Sequence, residues 1–567
     1  MNWEQFQQAF WQWRGVLITT PTVTVVVILL RFAGLLQALE WAAYDQLLRL
    51  RPPADPDDRI AIVGITEADY RELERVILPD QIYAELIRKL KAQNPRVIGL
   101  DVYRDQPVNP GHQELVEIFA STPNLVGIEK VIGDRAVDTI GPPPTLADKG
   151  QVGSNDVIQD GDNKIRRGLI GVFRGERGQE FFPSLALYLA TYYLDAEGIQ
   201  LHLLENEDSG WWQYALGDTV IPRFRRHDGG YIRADAGSYQ VLLNYRGGAN
   251  SFEMVSLTDV LDGEIPEDWA TDRIVLIGAV GESAKDFFFT PYSSGLLSLP
   301  EYMAGVEVHA NLTSQLISAV LNDRPFITTL PEVVEWVWIL LWSGIGAAIA
   351  WTMRHSSEGQ NQTLKQFIRL GLASITLWGI TYISLVGSWW IPVIPPFVAL
   401  LGSAIAVTGY IARTAGDIRK TFGRYLTDEV VATLLEHPEG LKMGGERRKI
   451  TIFTSDLRGF TALSERLSPE EVVKILNFYL GHMADTITQY QGTIDEFMGD
   501  GILVLFGAPV PRDGDARRAI ACAIAMQQAL KTVNRQMQAW GFPDLEMGIG
   551  INTGEVVVGN IGSEKRT

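Results

Sequence analysis

The chain has 567 residues, far more than one domain needs, and 46% of them are hydrophobic. A formal net charge of −19 with no basic stripe excludes a nucleic-acid-binding role. The single cysteine, Cys522 in the apolar run AIACAIAMQQAL, reads as a core residue, so no disulfide forms within the chain, and no His-x3-His or Cys-x2-Cys spacing offers a zinc site.

In chain order, residues 1–15 read as a short cytoplasmic N-terminus. Met1 to Trp13 lack the basic start and small-residue cleavage site of a secretory signal, so the next apolar run is expected to be an uncleaved anchor. That run, Val16 to Leu30 continued past Arg31 to Leu39, predicts a transmembrane helix over 16–39. Residues 40–330 hold strand-like runs RIAIVGIT (Arg59 to Thr66), RVIGLDVY (Arg96 to Tyr103) and RIVLIGAV (Arg273 to Val280), with a helical pattern from Ile82 to Leu90. Such alternation predicts an α/β domain.

Three further apolar runs, 333–353, 367–386 and 389–412, predict transmembrane helices with charge only at Glu335 and Arg369 near their ends. Trp336, Trp338, Trp351, Trp389 and Trp390 suit an interfacial belt. The spans lack the internal charges that mark a transport path. Four spans place both termini on one side. Arg354 and Lys365, then Arg413, Arg419, Lys420 and Arg424, make that side cytoplasmic, against Arg49 and Arg51 beyond the first span. Residues 413–443 read as a helical linker with an apolar face of Phe422, Tyr425, Val430, Val431 and Leu434.

Residues 444–567 carry the chemistry. FTSDLRGFT (Phe453 to Thr461) and IDEFMGDGILVLFG (Ile494 to Gly507) each place an aspartate, Asp456 and Asp500, at the end of an apolar strand-like run. Two carboxylates on adjacent strand ends suit a shared pair of divalent cations, as phosphoryl or nucleotidyl transfer requires. The alternatives are structural: Asp456 as the cap of a helix starting at Arg458, and Asp500-Gly501 as a hairpin turn. A helix is expected up to about Tyr490, from Leu476, Tyr479, Leu480, Met483 and Ile487. Strands Thr493 to Phe497 and Ile502 to Phe506 follow. Met443-Gly444-Gly445-Glu446 reads as a glycine-rich loop before the first strand.

With FGRYLTDEVVATLL (Phe422 to Leu435) and GIGINTGEVVVGNIG (Gly548 to Gly562), these motifs resemble the class III adenylate and guanylate cyclases. The resemblance implies a ferredoxin-like α+β domain acting as a homodimer on ATP or GTP, with cyclic monophosphate and pyrophosphate as products. By resemblance, two Mg²⁺ or Mn²⁺ ions are held by Asp456, Asp500 and the Leu457 carbonyl. Arg458, Gly459, Phe460 and Thr461 hold the phosphates, Gly499 shapes the turn, and Glu496 contacts the purine. A carboxylate at Glu496 accepts hydrogen bonds from guanine, which leans toward GTP; the alternative is an exposed glutamate without base contact. The family continues past GNIGS to a VN-x-A-x-R motif with transition-state groups. Asn552 and Asn560 stand too early for it and read as turn residues. The chain stops at Thr567, so the expectation is a fragment with an incomplete cyclase domain, or else an inactive receptor that only dimerises.

The 40–330 segment resembles the CHASE2 sensor domain of bacterial membrane receptors through AAYDQLLRLRPP (Ala42 to Pro53), IAIVGITEADY, VIGLDVYRD, DFFFTP (Asp286 to Pro291) and GVEVHANLTSQL (Gly305 to Leu316). This implies an extracytoplasmic sensor with an unidentified ligand, in a multidomain α/β protein of the bacterial inner membrane. Asp45, Asp101, Glu307 and His309 are expected to be buried and hydrogen-bonded, with Glu307 and His309 on one face of a strand.

Overall fold

The structure is a computed structural model and describes residues 13–133, 139–174, 180–206, 211–293, 301–352, 359–422, 444–508 and 511–560. The chain divides into two compact units, one containing residues 1–354 and 359–407, the other 355–358 and 408–567.

The first unit opens on α1 (Arg14–Phe32), 19 residues that extend for about 28 Å at 1.5 Å per residue. The chain turns after Phe32 and restarts as α2 (Gln37–Leu50). The residues up to Leu39, which the sequence assigned to the first span, therefore begin a separate helix. Its Glu40, Asp45 and Tyr44 are buried.

A six-stranded, wholly parallel sheet follows, made from β1 (Ile60–Ile65), β2 (Val97–Asp101), β3 (Leu125–Glu129), β4 (Val152–Ser154), β5 (Glu253–Ser256) and β6 (Ile274–Ala279). Their order across the sheet is β5-β1-β6-β2-β3-β4. The three runs predicted as strands are β1, β2 and β6. Alternate residues feed opposite cores: Ile60, Ile62, Ile274 and Leu276 face one, Ala61, Val63, Val275 and Ile277 the other. A sheet buried on both faces explains these near-continuous apolar runs. Helix α3 (Asp80–Ala92) covers one face; α4 (Leu185–Asp195) and α5 (Gly305–Leu321) cover the other. Gly99 permits the close approach of Leu189 on α4, since a Cβ there would lie 2.9 Å from its Cδ1.

Glu307 and His309 lie in the first turns of α5, not on a strand. Val306 and Val308 give the segment a period of two. The Glu307 carboxylate, accepting from the Ala304 N–H at 3.2 Å and the Asn250 N–H at 2.6 Å, instead satisfies a helix start.

Three more helices are apolar and long enough to cross a membrane, as α1 is: α6 (Glu332–Thr352), Thr363–Val386 within α7 (Gly359–Val386), and Ile394–Thr414 within α8 (Ile394–Phe422). Trp389 and Trp390, assigned above to the last span, form a short parallel strand with Thr328 and Thr329. Small residues set the helix contacts, as lipid-embedded packing favours. Ser343 on α6 donates to the Thr20 carbonyl of α1 at 3.0 Å, and Gly346 lies against the Leu400 carbonyl of α8.

The second unit contains an antiparallel sheet of β7 (Gly444–Leu457), β8 (Thr493–Met498), β9 (Gly501–Phe506) and β10 (Met547–Asn560), in the order β8-β9-β7-β10. Among the described residues it also contains the end of α8, α9 (Phe460–Ser464), α10 (Pro469–Gln489) and α11 (Asp515–Ala539). Cys522 is buried in its core. Gly444 to Glu446, read above as a loop, are strand: β7 pairs with β10 from Gly444–Asn560 to Leu457–Met547. Asn552 and Asn560 are accordingly strand residues rather than turn residues. The linker segment from Gly423 to Met443 lies outside the described residues, as do 561–567.

Candidate active site

Strand β7 alternates from Thr451: Phe453, Ser455 and Leu457 are buried, while Thr454 and Asp456 are exposed. The period of two thus turns Asp456 away from the helical layer. Asp456 is not a helix cap. The short helix α9 starts two residues beyond Arg458, with Gly459 in the left-handed region (φ 70°) at its cap and no side chain capping it. Phe460 is buried and anchors this turn to the core, so only its backbone is available to a ligand. Arg458, Gly459 and Thr461 are exposed around the same turn.

Asp500 sits in the two-residue hairpin between β8 and β9, where Met498 pairs with Gly501 and Gly499 takes φ 71°. The neighbouring strand β9 pairs Ile502 with Ser455, which brings the hairpin against the end of β7. The two carboxylates meet here. Burial first, then the adjacent Asp456 charge, push the Asp500 carboxyl above its ordinary range, opposed by backbone hydrogen bonds that include Leu457. Gly501 permits the approach: a Cβ there would stand 3.3 Å from Asp456 Oδ1. Gly548, paired with Asp456 on β10, keeps that flank free of a side chain.

Tyr479 of α10 is a site neighbour that sequence reasoning treated only as an apolar residue. It is fully buried, its hydroxyl donates to Met547 Sδ at 3.3 Å, and burial pushes its phenol up to about 12. Both aspartates act on it electrostatically. Its place follows from α10, set by a capping box in which Ser468 Oγ accepts from the Glu471 N–H and Glu471 accepts from the Ser468 N–H. From that start Ile475, Tyr479 and Met483 fall on the core face.

Glu496 is exposed on the edge strand β8, opposite Leu503, just after a register irregularity at Ile494/Glu496. It lies on the strand leading into the Asp500 hairpin, and among the described residues neither aspartate is its hydrogen-bond partner.

The Asp456–Asp500 pair fits a hard divalent cation. No cationic side chain pairs with either carboxylate among the described residues, and no third His, Cys, Asp or Glu completes an all-protein cage. Two carboxylates and a backbone carbonyl, with the remaining positions left to water and phosphate oxygens, is how Mg²⁺ is usually bound.

A family model described as the CHASE2 domain matches residues 22–348, and one described as the adenylate and guanylate cyclase catalytic domain matches residues 445–567. Adenylate cyclase 1 of Rhizobium meliloti (strain 1021) is 34% identical over 152 residues, covering 27% of this chain and 23% of that protein. An adenylate cyclase of Anabaena cylindrica is 34% identical over 177 residues, covering 30% of this chain and 34% of that protein. The chain thus spans about a third or less of the length of these relatives. Among solved structures, the guanylyl cyclase Cya2 is 71% identical, covering 22% of this chain and 63% of that chain, with a TM-score of 0.22.

Proposed function

The chain belongs to the CHASE2 family and carries an adenylate and guanylate cyclase catalytic domain, and from that premise we propose a membrane receptor that cyclises GTP in preference to ATP. The observation that carries the reading is the Asp456–Asp500 pair, two carboxylates at adjoining strand ends with no protein cation between them. In the reaction the ribose 3′-oxygen bonds to the α-phosphorus, the bond from that phosphorus to pyrophosphate breaks, and the hydroxyl proton is released.

Bound Mg²⁺ or Mn²⁺ ions supply charge neutralisation on the triphosphate and acidify the attacking hydroxyl. Asp456, Asp500 and the Leu457 carbonyl would hold them. The backbone around Arg458, Gly459, Phe460 and Thr461 offers N–H donors to phosphate oxygens at a turn no side chain caps. Gly499 gives the hairpin its left-handed corner. Glu496 accepts from guanine N1–H and the 2-amino group, which adenine does not present in that arrangement.

The four apolar helices support a membrane location. Lysine and arginine at Arg354, Lys365, Arg413, Arg419 and Lys420 support a cytoplasmic cyclase domain, with the CHASE2 domain outside as the receiver of a signal.

Cyclase assays of the purified protein with Mn²⁺ test this reading. Asp456→Ala and Asp500→Ala each lower activity at least a hundredfold, about 2.7 kcal/mol of transition-state stabilisation. Retained activity in either variant refutes the metal assignment. Glu496→Lys shifts preference from GTP toward ATP; an unchanged preference refutes its role.

A further inference from the structure

Buried acids in the CHASE2 unit are matched with care. Asp45 is held by Arg166 and Lys164, Asp57 by Arg59 and Arg246, and Asp160 by Arg166 and Arg167. Glu307 and Asp156 accept backbone N–H groups. Two carboxylates depart from this pattern. Asp101, at the carboxyl end of β2, is 9% exposed and accepts only a long 3.4 Å contact from Asn155 Nδ2. Asp286, which follows β6, lies over Gly305 at the start of α5 and makes no side-chain hydrogen bond or ion pair among the described residues.

Both face open space. Two cavities of about 430 and 420 Å³ share a wall of Asp101, Tyr103, Asn155 and Asp286. The first is also bounded by the carboxyl ends of β1 and β6, at Ile65 and Ala279. This is the crevice where open parallel sheets bind ligands. His309, 5% exposed, lines the second cavity. In the first, Arg104 is 8% exposed, sits over the Tyr83 ring, and leaves its Nε without a hydrogen-bond partner.

We propose that this crevice is the sensor's ligand site and takes a small organic ammonium ion, whose charge is neutralised by Asp101 and Asp286. Aromatic rings of Tyr70 and Tyr103 line the first cavity and suit a cation, the Tyr83 ring being covered by Arg104. A divalent metal is disfavoured, because no group of three acid, histidine or cysteine side chains at metal-binding spacing occurs among the described residues. The orphan Arg104 Nε and the exposed Lys285 favour an ammonium that also carries a carboxylate, as an amino acid does.

Burial raises both carboxyls above the ordinary range, and at Asp286 the Asp101 charge adds to it. Burial holds the neighbouring His309 ring below its usual value. Both acids are thus easier to protonate when folded, so their contribution to stability is present in acid and lost as pH rises through the folded values. Lys130 and Lys285 stand at the rims, and Asp156 accepts from the Val131 and Ile132 amides. Acid neutralises Asp101 and Asp286, and both changes oppose a cation.

The inference rests on the sensor reading of this unit, but its test does not use cyclase activity. The full chain in lipid nanodiscs is titrated at pH 8 with ethanolamine, putrescine, alanine and glutamate, and separately with Ca²⁺ and Mg²⁺, following thermal unfolding. At least one amine binds saturably, Asp101→Asn and Asp286→Asn each weaken it at least tenfold, and lowering the pH to 5 weakens it without any substitution. Both variants also melt higher than the unliganded parent at pH 8, where a merely structural acid would melt lower. No amine binding, binding undiminished in the variants or at pH 5, or saturable binding of Ca²⁺ or Mg²⁺ alone overturns the proposal. Absence of amine binding to the unsubstituted chain while that chain still cyclises nucleotide refutes the ligand site and leaves the enzymatic reading standing.

Discussion

Gly501 shows how narrowly the active-site pair is held. An added Cβ would stand 3.3 Å from both Asp456 Oδ1 and the Ser455 carbonyl, closer than side-chain carbons normally approach. The backbone cannot yield without moving the Asp500 hairpin or the Ser455–Ile502 pairing. Gly501→Ala is expected to keep the fold, read by circular dichroism, and lose about tenfold in cyclase activity, ~1.4 kcal/mol. An active Gly501→Ala enzyme would mean that the carboxylate spacing is not critical. At this scale the sequence was informative where chemistry is local. Asp456 sits in a period-two strand, and Asp500-Gly501 is a turn dipeptide; both signals are carried by immediate neighbours. Asp286 was legible only as part of a motif. Its juxtaposition with Asp101 depends on β6 inserting beside β2, a long-range pairing that no local pattern encodes. Tyr479 was hidden differently, since a buried tyrosine on a helical stripe reads the same whether it supports a site or only fills a core.

The element that the sequence misread most is α2, taken partly for membrane span. It is a connector with polar anchors at successive turns. Its Glu40 accepts from the N–H groups of Val393 and Ile394, at 3.1 and 2.7 Å, and from Trp390 Nε1 at 3.2 Å, so it caps the start of α8. One turn on, Tyr44 stacks on Trp390 with centroids 4.1 Å apart. Asp45 then grips Arg166 through both oxygens, at 2.7 and 2.8 Å. Nearby, Arg31 of α1 pairs with Glu335 of α6 and donates to the Gly229 carbonyl at 3.1 Å. Buried acids on an otherwise apolar helix defeat periodicity, which expects charges outside. Removing one is costly because its partners stay buried. Asp45→Ala strips Arg166 of one of its partners and is expected to cost about 3 kcal/mol. Glu40→Ala leaves three donors unmatched, at about 1–3 kcal/mol. Thermal unfolding in nanodiscs reads both. A change within error in either variant would reduce α2 to a passive spacer.

For the whole molecule the open question is how many chains act together. Among the described residues strand β8 is an edge of the cyclase sheet, hydrogen-bonded only to β9. It carries Phe497 and Met498, exposed at 46% and 51%, on the strand leading into the Asp500 hairpin. Soluble domains usually blunt such an edge with charge or proline. Here large apolar side chains sit beside Glu496 on the outermost strand of the sheet. A second copy of the cyclase domain would cover this surface, and its proximity to Asp500 would place the partner close to the two aspartates. Four helices are long and apolar enough to cross a membrane, and anchoring through them would confine chains to a plane and raise their effective concentration, so that a modest interface would suffice. Phe497→Glu puts a charge where apolar contact is required. It is expected to convert a dimeric protein to a monomer by light scattering, with cyclase activity falling at least tenfold while the melting temperature stays within a few degrees. A variant that loses activity but remains dimeric would assign Phe497 to the substrate site. One that becomes monomeric and keeps full activity would show that each chain forms a complete site, and the cyclase would then need no partner.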